Sequence, residues 1–174
     1  MQETNEQYVA RISGYVAGQN HFKVFQSTVG KLQRLLKRVP ASHLKKQPEP
    51  NKWSVAEILG HLAESEIVFG YRIRMILGSN GTPIQAFDQN KWHENDGYLA
   101  RNSKMAFELF QIIRETNVAL LKSLTKVQWD FHGNHQERGR ETIVRMVELY
   151  AGHDVNHVKQ IEGILDATRS KKTR

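Results

Sequence analysis

The 174-residue sequence contains no cysteine. Disulfide frameworks, thiolate metal sites and cysteine nucleophiles are excluded together, and the composition fits a reducing compartment. No apolar run approaches the roughly 20 residues of a membrane span. The opening MQETNEQYVARISGYVAG is too polar for a secretory leader. A cytoplasmic protein away from membranes is the expectation. Proline is scarce, with four in the chain, and no segment alternates apolar and polar residues as a half-buried strand does. Little therefore interrupts a helical pattern.

Acidic residues are outnumbered, and the formal charge is +7. That excess does not point to nucleic acid. Four of the positives, Arg169, Lys171, Lys172 and Arg174, sit in the terminal ATRSKKTR. A second cluster, Lys31, Arg34, Lys37 and Arg38, recurs at helical spacing as a solvated helix face does. Aromatic residues are not interleaved with these charges as base-stacking platforms would be.

Four segments carry the helical period. The first runs from about His21 to Val39, with Phe22, Phe25, Val29, Leu32, Leu35, Leu36 and Val39 as its stripe, and Pro40 ends it. The second begins at WSVAE, where Ser54 as N-cap and Glu57 three residues on form a capping box. Val55, Ile58, Leu62, Phe69, Ile73 and Ile76 form its stripe, and Gly78 stops it. The third spans roughly Ser103 to Leu124, with Met105, Leu109, Ile112, Ile113, Leu120 and Leu124 inward. The fourth runs from Glu141 to about Ala167, and a further helical turn near Tyr8 to Val16 is interrupted by Gly14 and Gly18. The connection after the first helix is polar and holds two prolines. The one after the second is long and polar and holds Pro83, Trp92 and Tyr98, and the bundle expected is one with long first and third connections. The fold class expected is all-α, a four-helix bundle in one domain over 1–174, with its core at about 21–167 and a basic tail at 168–174.

Histidines interrupt the fourth stripe. Its apolar positions are Ile143, Val147, Tyr150, Ile161, Ile164 and Leu165, and His153 and His157 occupy the gap. Residues four apart on a helix lie nearly above one another, so both imidazoles point inward at successive turns. Two stacked inward histidines each take a polar nitrogen out of water, and a shared cation answers both needs. The H-x3-H spacing also arises by chance, and ordinary core histidines or a solvated edge are the other readings. His61, at the flank of the second stripe, supplies a third imidazole. Three protein ligands with an open position is the layout of catalytic rather than structural zinc. His21, His43, His93, His132 and His135 read as solvated residues of helix ends and loops.

These features together resemble the DinB/YfiT-like family of metalloenzymes. The residues that carry the resemblance are NKWSVAEILGHLAESE, FDQNKW, RGRETI and HDVNHVKQIEGIL, in that order, and it covers about residues 25 to 165. It implies a four-helix bundle, often dimeric, in which three histidines hold a divalent metal. The matching positions are His61, His153 and His157, and the ion expected is Zn²⁺ or Ni²⁺. Family members include S-transferases that use bacillithiol and a mycothiol-dependent isomerase. The resemblance therefore implies a small-molecule substrate, with a low-molecular-weight thiol as a partner, and a homodimer. Asp154 and Glu66 are candidates to orient the ligands or accept protons, with a solvated face the other reading of each.

The function expected is a divalent-metal-dependent enzyme, an S-transferase or hydrolase acting on a small electrophile. A metal lowers the pKa of a bound thiol or water and so provides a nucleophile near neutral pH. Metal affinity should fall as the pH drops through about 6.5, the free-histidine value. Two other readings stand beside it. One is a stress-response binding or scaffold bundle with a structural or vestigial metal. The other is an HD-type metal phosphohydrolase, in which Asp154 joins His153 as a ligand and His157 has no role.

Overall fold

The computed structural model describes residues 3–96 and 102–170. Tyr98 and the side chains of the basic tail at 168–174 lie outside the described residues. In chain order the elements are α1 (Asn5–Gly14), α2 (His21–Leu36), α3 (Ala41–Leu44), α4 (Val55–Gly78), β1 (Thr82–Ile84), α5 (Gln89–Asp96), α6 (Ser103–Lys122), α7 (Lys126–Trp129), β2 (His132–His135), β3 (Gly139–Thr142) and α8 (Ile143–Ser170). Four of the helices, α2, α4, α6 and α8, are long, as the periodicity predicts. Among the described residues no helix is long and apolar enough to cross a membrane.

The chain divides into two compact units, Met1–Val39 with Met146–Arg174, and Pro40–Arg145. In the first, α1 and α2 lie against α8. At Gly152 of α8 the backbone of α1 comes close, since a β-carbon there would collide with the Ile12 carbonyl oxygen. Arg11 of α1 donates to Asn156 Oδ1 at 2.6 Å, and Thr28 of α2 donates to Asp154 Oδ2 at 2.8 Å. Helix α2 stops at Leu36, short of Pro40, because Arg38 turns into the left-handed region at φ 67°.

In the second unit α4 packs against α6. The capping box at the start of α4 is present as the sequence predicts, with Ser54 accepting from the Glu57 amide and Glu57 from the Ser54 amide. All six residues of the predicted α4 stripe are buried. The predicted α6 stripe is corrected. Met105 and Ile112 are exposed, and the buried face is Ala106, Phe110, Arg114, Asn117, Val118 and Leu121. The buried face contains a charge and an amide, so a search for apolar residues alone picks the wrong side of the helix. Arg114 donates to Glu66 Oε2 at 2.7 Å and Asn117 to Glu66 Oε1 at 2.9 Å, so both Glu66 oxygens are engaged across the seam.

The expectation that no strand is present is also corrected. A small sheet has the order β1-β2-β3, with β1 parallel to β2 and β2 antiparallel to β3. Thr82 pairs with Gly133 and Ile84 with His135. Gly133 is required there, because a β-carbon would lie 2.3 Å from Ile84 Cδ1. The sheet ties the connection after α4 to the turn before α8 within its own unit.

Candidate metal centre

His61 lies in the second turn of α4 and is buried. Its Nε2 is 3.5 Å from the Ser65 hydroxyl one turn on, at the outer limit of a hydrogen bond. Trp53, the residue before the N-cap, brings its ring to 5.1 Å from the His61 ring at a 50° tilt. On another side the same indole meets His93 of α5 at 5.2 Å. His93 Nε2 is 3.3 Å from Glu57 Oε1, and the other Glu57 oxygen accepts from the Ser54 amide at 2.6 Å. Burial works to raise the Glu57 pKa, yet the Ser54 amide and hydroxyl, with His93, hold it below the ordinary carboxylate value.

His153 and His157 are brought together one turn apart on α8, as their spacing predicts. Their rings meet edge to face with centroids 4.5 Å apart. His157 is buried and His153 half-buried. Gln160 Oε1 lies 3.0 Å from His157 Nδ1. An amide oxygen only accepts, so Nδ1 carries the proton and Nε2 the lone pair, which is the tautomer a metal ligand needs. Burial pushes the His157 pKa down to about 4, against the opposing pull of Gln160 and Asp154. The ring is therefore neutral through the physiological range. Protonation of this one ring competes with a cation only near pH 4, lower than for a free imidazole. The chemistry of this donor fits a divalent metal.

The two candidate carboxylates have different surroundings. Asp154 is buried on α8 beside the histidines and receives the Thr28 hydroxyl. Glu66 is buried in the α4–α6 seam, where both oxygens are engaged by Arg114 and Asn117. Neither is a solvated face residue.

Of the histidines read as solvated, His135 is buried and His93 is half-buried. His93 packs on Trp53 as described. His135, on β2, is buried, with Nδ1 accepting from the Glu137 amide at 3.2 Å and Nε2 3.5 Å from Arg72. Burial holds its pKa below the usual value, Arg138 and Arg72 add to that, and Glu141 and Glu137 oppose it. Nothing local in HGNH announces this, since the burial is created by strand pairing with distant residues.

Comparison with known proteins gives this geometry a context. Residues 25–161 match the sequence profile of the DinB superfamily. An inferred metal-dependent hydrolase of Oceanobacillus iheyensis is 24% identical over 141 residues, covering 80% of this chain and 80% of that one. The inferred metal-dependent hydrolase YfiT of Bacillus subtilis is 23% identical over 141 residues, covering 80% of this chain and 79% of its own. The solved structure of YfiT, described as having an unusual four-helix bundle topology, superposes with a TM-score of 0.76 at 21% identity, over 96% of this chain and 90% of that one. A mycothiol-dependent maleylpyruvate isomerase superposes with a TM-score of 0.59 at 13% identity, over 78% of this chain and 58% of that one. At such identities the structural likeness establishes the fold, a four-helix bundle of the YfiT type.

Proposed function

The chain belongs to the DinB superfamily, and from that premise we propose that His61, His153 and His157 hold one divalent cation, Zn²⁺ or Ni²⁺, in an enzyme acting on a small electrophile. The observation that carries this reading is that each of the three offers one ligand atom, all lying within 4.8 Å of one another. Three imidazoles suit a borderline metal such as zinc or nickel better than the oxygen-seeking magnesium or calcium. When bound, the ion supplies a Lewis acid that lowers the pKa of a thiol or water in its open position. Gln160 fixes the tautomer of His157. Asp154, anchored by Thr28, lies beside these histidines on α8 and is assigned a positioning role. Glu66 is committed to Arg114 and Asn117, and we assign it none at the metal.

The thiol reading draws support from the mycothiol-dependent isomerase among the structural neighbours. With no cysteine in the chain, a thiol would arrive as co-substrate. The relatives described as hydrolases support water in the same position. The phosphohydrolase reading needs Asp154 as a ligand, and the grouping of donor atoms contains His157 in its place.

The test is elemental analysis of protein purified without chelator or affinity nickel. Close to one divalent ion per chain is expected, and His157→Ala should release it. Wild-type protein that is metal-free and indifferent to added zinc or nickel refutes the reading. A screen of ester, amide and thiol-transfer substrates then separates hydrolase from transferase, and retained metal without turnover would favour a binding module. Sedimentation tests the homodimer, which would have twice the 20.1 kDa chain mass.

A further inference from the structure

We infer that Trp53 is a positioning residue for His61, held against it from another side by His93, which is itself anchored on Glu57. This rests on the metal reading above. The torsion that sets the plane of an imidazole is broad, with no sharp staggered minimum to hold it. A ligand histidine therefore needs a neighbour to fix its tilt, and ligands left unsupported bind metal less tightly. Along α4 itself Ser65 approaches His61 at 3.5 Å, the outer limit of a hydrogen bond.

Trp53 is well placed for the task. It precedes the N-cap, so its indole returns over the first turns of α4 and reaches the His61 ring at 5.1 Å. Its own position is secured by the imidazole of His93 at 5.2 Å. His93 arrives on α5, a short helix in the long connection, and is fastened by its 3.3 Å approach to Glu57. Glu57 cannot swing away, because its other oxygen caps the helix through the Ser54 amide. One carboxylate thus serves two purposes, closing the end of α4 and bracing the wall beside a metal ligand.

The test uses the full chain and measures zinc affinity by competition with a chromogenic chelator, the absorption bands of the cobalt-loaded protein, and the melting temperature of the metal-free protein. Trp53→Ala should weaken zinc binding by about ten-fold or more, within the range of losses seen when groups supporting metal ligands are removed. His93→Ala and Glu57→Gln should each weaken it several-fold. Glutamine still completes the capping box, so Glu57→Gln should leave the metal-free melting temperature close to wild type. The cobalt bands should shift in Trp53→Ala and return toward wild type in Trp53→Phe, which restores a ring. If Trp53→Ala does not fold, His93→Ala and Glu57→Gln carry the measurement. Unchanged affinity and bands in whichever of Trp53→Ala, His93→Ala and Glu57→Gln fold overturn the inference, as does a loss that merely follows a lowered metal-free melting temperature. Wild-type protein that binds no zinc or cobalt overturns the metal reading as well, whereas wild-type binding with unaltered variants overturns this inference alone.

Discussion

The α4–α6 seam and the inner face of α8 both bury polar side chains, and they do so on opposite plans. In the seam charged and amide groups on facing helices meet one another. Glu66 takes Arg114 and Asn117, and Asn117 Oδ1 in turn accepts from Arg74 at 2.9 Å. On α8, Gln160 takes one nitrogen of His157 and so leaves the lone pair on the other. The first arrangement takes up both oxygens of the buried carboxylate and serves cohesion. The second is made to present a donor atom. The contrast shows that burial of titratable groups is not by itself a mark of function, and that the direction of the remaining lone pair decides.

The largest test of this contrast is Arg114→Met, which leaves the Glu66 carboxylate uncompensated. A loss of about 3–5 kcal/mol in denaturant unfolding is expected. The double variant with Glu66→Leu should be less destabilised than the single, because apolar groups then fill the seam.

The α8 side should respond to pH instead. In the metal-free native protein His157 protonates at about 4, and in the unfolded chain near 6.5. Between those values the unfolded state binds more protons. The contribution of the neutral ring is complete above about pH 6.5 and is lost as the pH falls toward 4, on the order of 3 kcal/mol in all. Denaturation curves across that window check it, and His157→Gln should flatten the slope.

A smaller effect separates close packing from polar burial. Gly152→Ala should cost about 1–3 kcal/mol, since the obstacle is α1 backbone rather than a movable side chain. Gly163→Ala on the same helix, where nothing lies within 4 Å, should gain roughly 0.5–1 kcal/mol. Melting temperatures of the two variants should move in opposite directions.

The sequence was informative wherever the determinant is local. Ser54 and Glu57 three residues apart announce the start of α4, and the gap in the α8 stripe announces His153 and His157, because helix geometry converts spacing into direction. It was uninformative wherever the determinant lies far along the chain. Arg114 turns the buried face of α6 toward Met105's opposite side only because Glu66 waits on another helix. The strands TPI, HGNH and GRET show no alternation, and their pairing is what buries His135. The role of His93 depends on Trp53 and Glu57, which lie in a different segment.

The parallel pairing of β1 with β2 also has a kinetic consequence. β2 and β3 are joined by a tight turn and can meet early, but β1 is separated from β2 by α5, α6 and α7, so that ring must close before the first bond between them forms. We expect such a clasp to fasten after the main folding barrier. Weakening it at Ile84 or Gly133 should shorten the lifetime of the finished protein while leaving its rate of formation nearly untouched.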